Sequence, residues 1–105
     1  MKRGEVWVVN SSSKGGEIQK TRPAVIVSND MANRNLNRLQ VLPLTTQINK
    51  CYPSEAYVKV DGKANKAMAD QIMTVSKERL LKRIGKVSSS DMADIERVIK
   101  IQLDL

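Results

Sequence analysis

Hydrophobic and polar positions divide this chain into short extended runs followed by one helix. Gly4 to Asn10 reads as a strand, with Val6, Trp7, Val8 and Val9 bounded by a glycine before and serines after. Asn10 to Lys14 with Gly15-Gly16 predicts a flexible loop that continues to Thr21. Pro23 to Ser28 is apolar on consecutive positions, as a strand buried on both faces should be. Asn29 to Asn37 is a polar connection with room for one helical turn. Arg38 to Thr46 is a third strand. Pro43 cannot donate to a ladder, so this strand is expected at an edge or bulged there.

A second loop, Ile48 to Ser54, leads to Glu55–Val60, which alternates. Ala56, Val58 and Val60 face inward; Glu55, Tyr57 and Lys59 face out. Asp61-Gly62 signals a tight turn. Ala67 to Val75 predicts a strand, or a strand pair broken at Asp70-Gln71. Ser76 to Lys82 reads as a short helix capped by Ser76, and Arg83 to Val87 as extended. The clearest local signal comes last. Ser88 and Asp91 form an S-x-x-D capping box, with Val87 and Met92 as its hydrophobic staple. Met92, Ile95, Ile99 and Leu103 share a face, and Glu96 precedes Lys100 at ion-pair spacing. An amphipathic helix from Ser89 to about Leu103 follows. The sum is α+β, mostly β, in the range of small barrels.

Composition narrows this further. The 105 residues make one domain, spanning 1–105, and 41% are hydrophobic. There is no Phe, and only Trp7, Tyr52 and Tyr57 are aromatic, so the core is aliphatic. Trp7 is expected in that core. With so few rings, recognition by several stacked bases is disfavoured. Eighteen basic against eleven acidic residues give +7, which favours an anionic partner: nucleic acid or an acidic protein. The single Cys51 cannot form an internal disulfide and fits a reducing compartment. Without His, metal catalysis and imidazole acid–base chemistry are disfavoured, and no cofactor or metal is expected. Lys2 and Arg3 are followed by no apolar signal region, and no apolar run reaches membrane-spanning length, so a cytoplasmic protein is expected.

The candidate chemistry sits at strand ends and in loops. Arg22 precedes Pro23, which restricts it to extended backbone at the mouth of a buried strand. Such arginines are mostly solvated, but a guanidinium held there matches phosphate oxygens bidentately. Glu17 lies in a glycine-rich loop and is a solvated acid unless brought to a hydroxyl as general base. Thr45 and Thr46 are ordinary strand residues whose hydroxyls can bind phosphate. Asp70 stands in an apolar segment, where a carboxylate needs a partner or a role. Lys20, Lys50, Arg34 and Arg38 in the flanking loops suit a nucleic-acid backbone. Glu96, Arg97 and Lys100 read as the solvated face of the helix. Together these residues suggest acid–base chemistry on a polyanion.

Five motifs in register resemble the MazF/PemK (Kid) family of toxin endoribonucleases. They are Gly4-Glu5-Val6-Trp7; Gly16-Glu17 ahead of Arg22 through Asp30; Pro43-Leu44-Thr45-Thr46-Gln47; Ala69 through Val75; and Lys77 through Leu80 with Ile84 through Ser88. The resemblance covers essentially the whole chain. It implies a small SH3-like (CcdB/MazF-type) barrel with a C-terminal amphipathic helix, and a homodimer. It also implies sequence-preferring cleavage of single-stranded RNA and inhibition by a cognate acidic antitoxin. Arg22 matches the family's catalytic arginine and Thr45 its catalytic threonine. Glu17 and Asp70 match the acids used as base in different members. The RNA-contacting candidates are Lys20, Thr46, Gln47, Lys50, Arg34 and Gln71. A non-catalytic gyrase poison of the CcdB kind, or a plain basic RNA-binding barrel, are the competing readings.

Overall fold

The computed structural model describes residues 1–10 and 20–105. Seven strands form one strongly curled antiparallel half-barrel. They are β1 (Glu5–Asn10), β2 (Thr21–Ile26), β3 (Arg38–Thr45), β4 (Glu55–Val60), β5 (Lys63–Met68), β6 (Met73–Ser76) and β7 (Leu80–Lys86). Helix α1 (Asp30–Asn35) joins β2 to β3, and α2 (Ser89–Leu103) ends the chain. The strands run in the order β4-β5-β3-β2-β1-β7, and β6 pairs with β3 off that path. This is the mostly-β architecture with a C-terminal helix expected from the sequence.

The curl comes from β3. Its first half pairs with β6, from Arg38↔Ser76 to Val41↔Met73, and its end pairs with β5, at Leu44↔Ala67 and Thr45↔Lys66. Pro43 falls between these two ladders. The expectation of an edge strand is therefore corrected: β3 is central, and the proline marks the handover between partners. A short 3-10 turn, Ala69–Gln71, carries the chain from β5 to β6 alongside it. On the opposite side β3 pairs with β2 through Ala24↔Pro43, Val25↔Leu42 and Ile26↔Val41.

Both faces of this central sheet are buried, as the consecutive apolar run of β2 requires. One face carries Val6, Val25, Leu42, Leu44, Val58 and Ala67, and α2 covers it with Ile95 and Val98. The other carries Val9, Ala24, Ile26, Leu39, Val41, Val75 and Leu80. Trp7 packs half-buried against this second core, with its indole N–H donating to Glu5 Oε1 at 3.0 Å. At 25 cal/mol per Å², each fully buried Leu, Ile or Val contributes about 1.5–3 kcal/mol, so the aliphatic cores supply the main driving force.

The capping chemistry of α2 is as read, with one change. Ser88 Oγ accepts the Asp91 N–H at 3.0 Å. The Asp91 carboxylate accepts the Lys59 N–H at 2.9 Å, so it ties α2 to β4. Glu96 does not pair with Lys100. Its Oε2 accepts from Arg3 Nη1 at 2.8 Å, because the helix face carrying it meets the N-terminal segment. Arg3 also donates through Nε to the Val27 carbonyl and through its backbone N–H to Asp30. That backbone N–H is the main reason the Asp30 carboxyl is held below its ordinary range. Glu96 is thus a tether rather than part of a purely solvated face.

Three further boundaries differ from expectation. β2 begins at Thr21, because pairing with Asn10 extends the strand past Pro23. The helix expected over Ser76 to Lys82 is a single 3-10 turn, Lys77–Arg79, capped by Ser76 Oγ on the Glu78 N–H. β7 takes over at Leu80 because Leu80 is buried opposite Val9. β5 starts at Lys63 directly after the Asp61-Gly62 turn, where φ is 51° and 78°. Two successive positive φ values are what a tight hairpin of this handedness demands. No helix among the described residues is long and apolar enough to cross a membrane.

Candidate active site

Strand register brings the principal candidates together. Arg22 lies in β2 opposite Val9 of β1. The β2–β3 ladder ends at Ala24↔Pro43, two residues short of both Arg22 and Thr45, the last residue of β3. Directly opposed residues of antiparallel strands point to the same face. Here it is the face of Ala24, Ile26, Leu39 and Val41. Arg22 and Thr45 are both half-buried, at the same end of the paired strands. Among the described residues no carboxylate lies within ion-pair distance of Arg22. Its donors are available to an anionic ligand.

Thr45 Oγ1 accepts the Gln47 N–H at 3.1 Å, which turns the chain sharply out of β3. Thr46, Gln47 and Lys50 follow, all exposed. Lys20 is exposed just before β2. Asp70 is exposed on the 3-10 turn beside β3, rather than buried with a partner. The apolar neighbours that suggested burial belong to the turn's other side, where Ala69 and Ile72 pack into the first core. Gln71 is exposed beside it, with its amide donating to Met68 Sδ at 3.4 Å. The turn lies between the β5 and β6 ladders, beside Leu42-Pro43 of β3.

Arg34 and Arg38 are not part of this grouping. They sit where α1 joins β2 to β3, at the far end of both strands from Arg22 and Thr45. Arg22 and Ile26, at opposite ends of β2, are four strand steps apart, roughly 13 Å at 3.3 Å per residue. Glu17 and its glycine-rich loop lie outside the described residues.

One feature was not read from sequence. Glu55 was expected on the solvent side of β4. Instead Glu55 Oε1 lies 2.9 Å from Lys66 Nζ, and both side chains are more than nine-tenths buried. Burial alone would raise the Glu55 carboxyl. The Tyr52 N–H and the Lys66 ammonium outweigh it and hold the pKa below its ordinary value. Lys66 is raised in turn, chiefly by its hydrogen bond to Glu55. The sequence signal was Lys66 itself, a charge between Ala64 and the apolar Ala67-Met68-Ala69.

Among the described residues no group of three or more Cys, Asp and Glu is arranged to hold a metal ion. The site is an arginine, hydroxyls, an exposed carboxylate and surrounding cations, on a chain of net charge +7. That set can bind a phosphodiester and stabilise added charge on it.

The chain is 39% identical, over its whole length and 98% of the relative, to "Endoribonuclease MazF9" of Mycobacterium tuberculosis. It is 30% identical to "Endoribonuclease MazF" of Staphylococcus epidermidis, over its whole length and 92% of that relative. Among solved structures, it superimposes on an "Endoribonuclease in complex with its cognate antitoxin from Mycobacterial species" with a TM-score of 0.87. That match has 24% identity and covers all of this chain and 96% of the other. MazF of Deinococcus radiodurans shares the fold at a TM-score of 0.83 and 19% identity, over all of this chain and 97% of the other. The profile of the family described as "PemK-like, MazF-like toxin of type II toxin-antitoxin system" matches residues 2–103, and this chain belongs to that family.

Proposed function

We propose that this protein is the toxin of a type II toxin–antitoxin pair and an endoribonuclease that cuts single-stranded RNA at preferred sequences without a metal ion. The observation that carries this reading is Arg22: a half-buried guanidinium with no ion-pair partner among the described residues, at the same end of the paired strands as Thr45. RNA supplies its own nucleophile. The 2′-oxygen attacks the adjacent phosphorus, the bond to the 5′-oxygen breaks, and the products are a 2′,3′-cyclic phosphate and a 5′-hydroxyl. Arg22 stabilises the charge that gathers on the phosphorane oxygens and supplies the leaving group's proton, with Thr45 as a second donor. The proton of the 2′-hydroxyl goes to a carboxylate, Glu17 or Asp70. Lys20, Thr46, Gln47, Lys50 and Gln71 contact the RNA around the cleaved bond, and Arg34, at the far end of β2 and β3, contacts it only further along. The protein acts in the cytoplasm as a homodimer, and an acidic antitoxin neutralises it. The +7 charge supports both an RNA substrate and an acidic inhibitor.

The test is to incubate RNA with purified protein in EDTA and map the 5′ ends of the fragments, with wild type and Arg22→Ala side by side. Discrete sites that depend on Arg22 are expected. Intact RNA with wild type would overturn the activity. Glu17→Gln and Asp70→Asn, compared in the same assay, identify the base: its loss abolishes cutting, and loss of the other acid leaves the rate near wild type.

A further inference from the structure

The segment between β3 and β4 is pinned from below. Lys66 Nζ donates to the Lys50 carbonyl at 2.7 Å while it pairs with Glu55. Glu55 Oε1 accepts the Tyr52 N–H at 2.9 Å, and the Tyr57 hydroxyl donates to the Ile48 carbonyl at 3.0 Å. Three successive even-numbered residues of this segment are thus tied to β4 or β5. A buried ion pair adds little net stability compared with apolar packing, so its clearest consequence here is to fix a conformation.

What the pinned segment carries is a pocket of about 450 Å³, lined by Gln47, Asn49, Lys50, Tyr52 and Lys66. The Tyr52 side of it is 58% exposed, with the Lys66 ammonium 5.9 Å from the ring centroid. Because Lys66 is the register partner of Thr45, the pocket adjoins the end of β3 that carries Thr45. An aromatic ring offers a stacking surface, two primary amides offer donors and acceptors in the base plane, and the exposed Lys50 ammonium suits a neighbouring phosphate. The volume lies in the range of small-molecule sites.

We infer that this pocket is a subsite for one unpaired nucleobase of the RNA. Tyr52 stacks on the base, and Gln47 and Asn49 read its edge. Glu55 is a positioning residue that acts through Lys66. The inference rests on the RNA-cleaving reading given above, but its test does not require cleavage.

A tight-binding oligonucleotide is selected from a random pool of 2′-fluoro RNA, which keeps the bases and phosphates and lacks the nucleophile. Each position is then made abasic in turn. With wild type, one abasic position is expected to weaken binding about 5- to 150-fold, the range for one stacked base. Tyr52→Ala should weaken the intact strand by a similar factor and make that same abasic change neutral, while Tyr52→Phe behaves as wild type. The double variant E55L/K66M removes both charges together and keeps the site filled. It should reduce the penalty at that position alone, whereas general loosening would weaken every position alike. If Tyr52→Ala leaves the abasic profile unchanged, or scales every position equally, the subsite is overturned. An intact binding cycle in a protein that never cuts natural RNA would instead overturn the ribonuclease reading and leave the subsite standing.

Discussion

Arg22→Ala separates catalysis from folding with a calculable contrast. Arg22 is half-buried and has no carboxylate partner among the described residues, so its removal orphans no buried charge. Alanine accepts the extended backbone of β2, and Pro23 still sets the local geometry. The cost to stability should stay within about 0.5 kcal/mol, or roughly 2–4 °C in a domain of this size. The cost to reaction is set by a donor aimed at developing phosphorane charge. Losing one such donor takes about 10²- to 10³-fold from the rate, or roughly 2.7–4 kcal/mol. Arg22→Lys keeps the charge but not the planar fork and should fall between the two. The assay is single-turnover cleavage of an end-labelled single-stranded RNA in EDTA, paired with thermal unfolding of each variant by circular dichroism. A rate within threefold of wild type would refute the role of Arg22 in the reaction. A fall in Tm beyond about 10 °C would show that the residue holds the fold instead.

Stability should be flat near neutrality and fall at both extremes of pH. The Glu5 and Glu55 carboxyls, which burial alone would raise, are lowered overall by hydrogen bonds and nearby cations, and Asp30 is lowered by the Arg3 N–H. Their contribution is complete above the ordinary carboxyl values of 4.5 and 3.8 and is lost as pH falls through their lower folded values. Lys66 is raised, so its share is complete below 10.5 and lost as pH climbs past its higher folded value. Thermal midpoints across pH would check this, and a Glu55→Gln variant whose acid limb matched wild type would contradict it. Ser88→Ala removes the cap on the Asp91 N–H and should cost about 1 kcal/mol, roughly 4–8 °C in Tm. An unchanged melting curve would mean that packing of Ile95 and Val98 alone holds α2.

Some of this protein was decided by residues close together in the chain. The boundaries of α2 follow from the Ser88 cap and the apolar spacing of Met92, Ile95 and Ile99, and the structure has it at Ser89–Leu103. The inward side of β4 follows from its alternation, and the turn after it from Asp61-Gly62. These features depend on local backbone energetics and on burial of one periodic face, which a linear pattern encodes. The mouth of β2 was legible too, because Pro23 constrains Arg22 through covalent geometry. Whether Arg22 has company there is a question of strand register. That depends on β2 and β3 pairing across an intervening helix, so only the tertiary structure brings Arg22 and Thr45 to the same end of the paired strands. The same limit explains Pro43, which reads as an edge signal until β3 is seen to change partners beside it. It also explains Glu55 and Glu96, which look solvated because their partners, Lys66 and Arg3, lie on other elements. Local sequence determined which elements form. Long-range packing decided which charges meet, because an ion pair between strands depends on distances that no spacing within either strand contains.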